Sequence, residues 1–193
     1  MSAITVDRNT KETRIHLVLD LDSREAPKVS TGLPFFDHML NALAFHGGFY
    51  LEVQAQGDLE VDPHHLVEDT GIVLGEAFFR TQKDRGALVR YGACTIPMDE
   101  ALSEAVLDVC GRAYWVYNAN LPQTHAGTFD LSLVREFVIA LANNARINLH
   151  GNCRYGENSH HMVEALFKAL GKALAQAYGR RDDGKVPSTK GVL

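Results

Sequence analysis

Cysteine and tryptophan are scarce in this chain of 193 residues, which holds three cysteines and one tryptophan. Cys94, Cys110 and Cys153 are odd in number and lack CxxC spacing, so the sequence argues against a disulfide framework and against a thiolate zinc site. Small, buried and reduced cysteines in a cytosolic protein fit this pattern better.

Long apolar runs and an excess of positive charge are missing as well. No run approaches the roughly 20 apolar residues that a membrane span needs, and the opening segment MSAITVDRNTKE does not have the pattern of a signal peptide. The net charge of −5 argues against a general nucleic-acid-binding surface. We therefore expect a cytoplasmic globular protein that binds neither membranes nor nucleic acids.

A phrase that occurs twice, 96 residues apart, is the most informative feature that the chain has. HHLVEDTGIVLGEAF starts at His64 and HHMVEALFKALGKAL starts at His160, and seven of the fifteen aligned positions are identical. The identical positions include both histidines and the glutamate of each copy. Duplicated halves that drift freely would not keep the same three polar residues, so the repeat predicts an internal duplication with metal-ligating residues.

Helical geometry divides the polar residues of each copy between two directions. His64 and Glu68 are i and i+4, as are His160 and Glu164, and such pairs share a face with Cβ atoms roughly 5–6 Å apart. The second histidine, His65 or His161, is rotated by about 100°. Two such helix starts predict a two-metal site; the alternative is a pair of surface histidines with a first-turn carboxylate on each helix.

The repeat extends upstream of each copy. HMLNALA at His38 aligns with EFVIALA at Glu136 when a two-residue gap is allowed. Both residue types bind metals, so His38 and Glu136 are further candidate ligands. The alternatives are a capping or core-edge role for His38 and a solvated Glu136.

Hydrophobic periodicity predicts the same order of elements in both halves. In the first half it predicts strands over 10–22 and 49–56, a helix over 35–45 that ends at Gly47-Gly48, and a helix from Asp62-Pro63 to about Thr81. In the second half it predicts strands over 91–98, 104–109, 114–120 and 146–155, a helix over 131–142, and a helix capped by Asn158-Ser159 that runs to about Tyr178.

This order predicts an α+β fold that is internally duplicated, with two halves that each pair a mostly antiparallel or mixed sheet with two helices. We expect a first half over residues 1–88, a second half over 89–178 and a C-terminal tail over 179–193. The composition of the tail is polar.

Six segments, found in order from about residue 7 to residue 193, resemble one enzyme family: GLPFFDHM, HGGF, HHLVEDTG, PMDEA, GENSHHMVEA and PSTKG. The family is imidazoleglycerol-phosphate dehydratase, a manganese-dependent lyase of histidine biosynthesis. The resemblance implies a hydro-lyase with halves of the ribosomal protein S5 domain 2-like type. No segment resembles the phosphatase domain fused to some members, so we expect the monofunctional form.

The resemblance implies two Mn²⁺ ions in each active site. Eight residues would hold them, one ion taking His38, His64, Glu68 and His161, and the other His65, Glu136, His160 and Glu164. Glu136 departs from the histidine that many members have there, although a carboxylate is a serviceable ligand for manganese. Imidazole and carboxylate ligands also suit Fe²⁺ and Zn²⁺, so the choice of manganese comes from the family.

The reaction that the resemblance implies converts imidazole glycerol phosphate into imidazole acetol phosphate. It would pass through an imidazolate bound by both metals and a diazafulvene-like intermediate. A proton acceptor is also needed. Glu164 is the first candidate, followed by Asp99 and Glu100, whose alternative role is that of turn-forming acids; Glu12 would contact the glycerol hydroxyls.

The phosphate of this substrate needs cations and hydroxyl groups. The resemblance places phosphate contacts at Arg90, Arg112, Ser188 and Lys190, and we expect the tail that carries the last two to order over bound substrate. His46 is either a substrate contact or a helix-end cation. Members of the family form 24-subunit shells built from trimers, so we expect a homo-oligomer with shared sites.

Two other functions use the same ligand residues. A binuclear metallohydrolase would activate water and release a hydrolysis product such as orthophosphate. A metal-storing or metal-sensing protein would bind the ions without needing the phosphate contacts at Arg90, Arg112 and Lys190. A degenerate member of the family is a third alternative, supported by Glu136 alone.

Overall fold

The computed structural model describes residues 3–181. Within them, no helix has the length and the apolar composition that crossing a membrane takes. The elements are β1 (Ile4–Asn9), β2 (Thr13–Asp20), β3 (Lys28–Ser30), α1 (Pro34–Gly47), β4 (Tyr50–Gly57), α2 (His64–Arg85), β5 (Tyr91–Met98), β6 (Ala101–Asp108), β7 (Tyr114–Ala119), β8 (His125–Ala126), β9 (Phe129–Asp130), α3 (Leu133–Ala145), β10 (Asn148–Tyr155) and α4 (Ser159–Ala177).

Two four-stranded sheets repeat one topology. Their strand orders are β1-β2-β4-β3 and β5-β6-β10-β7. In each sheet one edge strand runs parallel to its neighbour, β3 beside β4 and β7 beside β10, and the other pairs are antiparallel. The predicted fold class, an α+β protein with two sheets each backed by helices, is therefore confirmed.

Alternating side chains place the core between the sheets and the helices. In β2, Ile15, Leu17 and Leu19 are buried while Arg14 is exposed. A single apolar cluster joins the inner faces of both sheets to the helices. Because the core is continuous, the two halves are packed as one unit.

The helices pack in pairs that cross between the halves. A Cβ atom on Gly171 of α4 would collide with the carbonyl group of Leu43 in α1, so these two helices are in backbone contact. A Cβ atom on Gly71 of α2 would lie 2.8 Å from the carbonyl oxygen of Phe137 in α3. The first helix of each half thus packs on the second helix of the other half.

Most predicted elements agree with the structure, and the differences concern element ends and short strands. The strand predicted over 91–98 coincides with β5, whereas α2 continues to Arg85, past the predicted end at Thr81. Gly48 ends α1 in the left-handed region with φ 69°. The sequence analysis missed β1, β3, β8 and β9, of which the last three have three residues or fewer and too little alternation to recognise.

Candidate active site

Three predicted metal ligands converge at the start of α4. The Nε2 atoms of His38 and His160 each lie 3.1 Å from Oε2 of Glu164. Their ligand atoms all lie within 4.8 Å of one another, and this is the one such group of three within residues 3–181. His160 and Glu164 are i and i+4 on α4, whereas His38 comes from α1.

Aromatic packing and a helix cap hold this cluster in place. The ring of Phe35, three residues before His38, meets the ring of His160 edge-on at 5.1 Å between centroids, and it also packs on Phe129. The side chain of Asn158 accepts a hydrogen bond from the backbone N–H of His160 at 2.9 Å, as the sequence predicted for this cap. The first turn of α4 is therefore fixed relative to α1.

Glu164 is ionised and nearly buried in this cluster. Its exposed fraction is 8%, and its Oε1 lies 2.8 Å from Nζ of Lys168. Burial raises the pKa of Glu164, but hydrogen bonds from Lys168 and His38 outweigh burial and hold this pKa at about 2. A carboxylate with so low a pKa is a weak proton acceptor and a good metal ligand.

The donor set of the cluster fits a divalent metal ion. Two imidazole nitrogens and one carboxylate oxygen, without sulfur, suit Mn²⁺, Fe²⁺ or Zn²⁺. The grouping differs from the one expected from the family resemblance, which assigned His38 to the ion held by His64 and Glu68. The physical reason is the crossed helix packing, because α1 lies against α4 and not against α2.

The first-half motif forms a looser pair. Nε2 of His64 lies 3.5 Å from Oε2 of Glu68, and both side chains are about half exposed. Glu136 sits in the first turn of α3, the helix that packs on α2, and its Oε1 accepts a hydrogen bond from Nη1 of Arg135 at 3.0 Å. Whether Glu136 binds a metal stays a prediction.

The second histidine of each motif has its ring nearly perpendicular to that of the first and contacts a carboxylate. The two rings of His160 and His161 are inclined by 80°, and those of His64 and His65 by 89°. Nδ1 of His65 lies 3.1 Å from Oδ2 of Asp58, and Nδ1 of His161 lies 2.9 Å from Oε2 of Glu100. Hydrogen bonds that the two imidazole rings donate to these carboxylates raise the pKa of both histidines.

The candidate proton acceptors outside the helices lie in the two equivalent hairpin turns. Glu12 precedes β2 and is exposed, and no hydrogen bond of the described residues reaches its carboxylate. Asp99 precedes β6 with φ 48° and a side chain that is 78% exposed. Glu100, next to it, forms a hydrogen bond with His161. This bond, together with a hydrogen bond from the backbone N–H of Asn158, lowers the pKa of Glu100 to about 2.

The predicted phosphate-binding arginines lie at the opposite end of the second sheet from the cluster. Nε and Nη2 of Arg90 lie 2.7 and 3.1 Å from the two carboxylate oxygens of Asp108, and the backbone of Arg90 has φ 81°. Arg112 is exposed in the turn between β6 and β7. Seven residue steps of β10 separate this end from the start of α4, which is roughly 23 Å. Ser188 and Lys190 lie outside the described residues.

Lys168 is a site residue that the sequence analysis missed. It is one turn from Glu164. Burial, together with the positive charges of Lys168 and Lys172, lowers the pKa of His46, the candidate substrate contact or helix-end cation. Burial is the largest of these causes. The signal that could have found Lys168 is its i, i+4 spacing from a candidate ligand, since a glutamate followed by lysine at that spacing forms a favourable helical ion pair.

Comparison with known proteins gives a family for the whole chain. The family model described as imidazoleglycerol-phosphate dehydratase matches residues 31–174. The imidazoleglycerol-phosphate dehydratase of Pelobacter propionicus is 52% identical over 191 residues, which cover 98% of this chain and 97% of that protein. The one from Lacticaseibacillus casei is 48% identical over 194 residues and all of both chains.

Solved structures agree with this result. The crystal structure of the dehydratase from Staphylococcus aureus matches with a TM-score of 0.85 and 38% identity over 93% of this chain and all of that chain. The Pyrococcus furiosus enzyme, in complex with (S)-C348, matches with a TM-score of 0.86 and 39% identity over 97% of this chain and all of that chain. The chain therefore belongs to the imidazoleglycerol-phosphate dehydratase family, the hydro-lyases (EC 4.2.1.19) of histidine biosynthesis.

Proposed function

We propose that this enzyme uses two Mn²⁺ ions in each active site to dehydrate imidazole glycerol phosphate to imidazole acetol phosphate. The family membership gives the reaction, and the convergence of His38, His160 and Glu164 carries the metal part of the proposal. Three ligand atoms from two helices leave room for a further protein ligand and for substrate in an octahedral arrangement.

A second ion takes the equivalent residues of the other helix pair. By the duplicated topology, Glu136 on α3 corresponds to His38 on α1, and the pair His64 and Glu68 corresponds to His160 and Glu164. Each ion then lacks one more imidazole, which is the second histidine of a motif, His65 or His161. Since these rings contact Asp58 and Glu100 and do not belong to the three-residue group within one chain, neighbouring copies supply them.

Mn²⁺ ions held by these residues would supply Lewis-acid stabilisation of charge on the imidazole ring of the substrate during loss of the hydroxyl from its arm. The chain itself positions the groups around that ring. Lys168 keeps Glu164 ionised and adds a positive charge beside the cluster. Glu12 is exposed, and its carboxylate has no hydrogen-bond partner among the described residues, so it is free to take a proton from the glycerol arm.

Homo-oligomerisation completes the site. Arg90 and Arg112 are roughly 23 Å from the cluster along β10, which is too far for one small phosphate ester to touch both ends within a single chain. A neighbouring copy brings these arginines, with Ser188 and Lys190, to the phosphate, in a shell of 24 subunits built from trimers.

Three free cysteines suit the reducing cytoplasm, which we propose as the location.

The test is a product assay with metal-stripped, full-length protein. After Mn²⁺ is added to enzyme and imidazole glycerol phosphate, we expect imidazole acetol phosphate and no orthophosphate. Orthophosphate as the product would favour a metallohydrolase instead. Two tightly bound ions without any product would favour a metal-storing protein or a degenerate family member.

A further inference from the structure

The second histidine of each motif is held at the same ring nitrogen. Asp58 lies 3.2 and 3.1 Å, through its two oxygens, from Nδ1 of His65. Glu100 lies 2.9 Å from Nδ1 of His161. In both places Nε2 is the nitrogen left without a protein partner among the described residues.

Glu100 is itself fixed from both sides. Its Oε1 accepts hydrogen bonds from the backbone N–H groups of Glu157 at 3.1 Å and Asn158 at 2.8 Å, while its Oε2 faces His161. These bonds tie the β5–β6 turn to the loop that begins α4. A carboxylate whose two oxygens are both engaged in this way is rigid, and it orients the imidazole that it contacts.

A carboxylate at Nδ1 determines the tautomer of the ring. The proton stays on Nδ1, where it is donated to the carboxylate, and the lone pair of Nε2 is left for a metal ion. We propose that Asp58 and Glu100 are positioning residues, which present Nε2 of His65 and His161 to the metal ions of neighbouring copies. This inference rests on the proposed manganese-dependent function.

The two halves achieve this with residues from different places. Asp58 follows β4, whereas Glu100 belongs to the β5–β6 turn, and the equivalent β1–β2 turn carries Glu12. Asp58 makes the contact with His65, and Glu12 is exposed. The two glutamates of the equivalent turns therefore have different roles: Glu100 orients a ligand histidine, and Glu12 is available to substrate.

The test compares Glu100→Ala with Glu100→Gln in the full-length chain. Mn²⁺ affinity is measured from free Mn²⁺ by electron paramagnetic resonance, and kcat is measured at saturating Mn²⁺. We expect Glu100→Ala to weaken Mn²⁺ binding by about 10- to 100-fold and to lower kcat much less. Glu100→Gln should recover only part of the affinity, because its single amide oxygen can accept either from Nδ1 of His161 or from the two backbone N–H groups that Oε1 of Glu100 serves. Asp58→Ala and Asp58→Asn should behave in the same way.

Glu157→Ala is the matched control, since it removes an exposed carboxylate from the same loop without touching His161. Its Mn²⁺ affinity should equal that of the unaltered protein. A loss of kcat by about 100-fold or more in Glu100→Gln at unchanged Mn²⁺ affinity would mark Glu100 as the proton-transfer group and overturn the inference. Unchanged affinity in Glu100→Ala would overturn it too. Failure of the proposed function shows separately, as absence of turnover by the unaltered protein, while Mn²⁺ affinity still tests the positioning role.

Discussion

Nε2 of His38 lies 3.1 Å from Oε2 of Glu164, although 126 residues separate the two in the chain. The contact exists because α1 of the first half packs directly on α4 of the second. The metal centre is therefore a product of the crossed helix packing, and a change in that packing should reach the metal ligands.

Gly171→Ala should damage the metal centre without altering a ligand. The added Cβ atom would collide with the carbonyl group of Leu43 and push α1 away from α4. We expect a loss of about 1–3 kcal/mol in the free energy of unfolding together with weaker Mn²⁺ binding, measured by thermal denaturation and by Mn²⁺ titration. Lys172→Ala, at the exposed neighbouring position, is the control and should change neither. Full Mn²⁺ affinity in Gly171→Ala would show that the cluster does not depend on this approach.

Glu136→Ala should lower the number of Mn²⁺ ions bound per chain from two to one. The equivalent of Glu136 in the other helix pair is His38, and removing one ligand leaves the second ion with too few donors. Glu136→His should keep both ions, because imidazole suits the same metals. Equilibrium dialysis with metal analysis counts them. The control is Arg135→Ala, which removes the ion-pair partner of Glu136 and should still bind two Mn²⁺ ions per chain. Two ions bound by Glu136→Ala would exclude Glu136 as a ligand.

The metal-free protein should show an acid-dependent loss of stability that comes from Glu164. Because the pKa of Glu164 is lowered from 4.5 to about 2, its ionised form adds stability that is fully present above pH 4.5 and is lost as pH falls towards 2. Lys168→Met removes a hydrogen bond that lowers this pKa, so the loss should be smaller in total and should be complete at a higher pH. Calorimetric melting temperatures across pH 2–6 measure it.

Coincident pH profiles for Lys168→Met and the unaltered protein would contradict the role given to Lys168. Lys172→Met is a suitable control, because Lys172 makes no ion pair with Glu164 among the described contacts. Its profile should follow that of the unaltered protein.

The sequence predicted those parts of the site that are local in the chain. The i, i+4 pairs, the rotation of the second histidine and the Asn158 cap all lie within one helix start, where spacing determines geometry. The pairing of His38 with Glu164 was not predictable in this way, because it depends on which helices pack together. Gly71 and Gly171 permit that packing because they lack a side chain, but the spacing of residues in the sequence does not predict which helix packs against which.

The contacts of Asp58 and Glu100 escaped the sequence analysis for a related reason. Glu100 and His161 are 61 residues apart and meet only because a hairpin turn lies over the start of α4. Since the two halves use carboxylates at non-equivalent positions, comparing the halves with each other gives no signal for them. The long repeated phrase, in contrast, was sufficient for the duplication, and six segments along the chain were sufficient for the family resemblance.

The most direct test of the account is the crystal structure of the Mn²⁺-loaded, full-length protein with anomalous diffraction at the manganese absorption edge. We predict one anomalous peak bounded by Nε2 of His38, Nε2 of His160 and Oε2 of Glu164, with Nε2 of a second-position histidine from a neighbouring copy completing it. The absence of a peak at this site, or a peak bound by Glu164 without His38, would contradict the account.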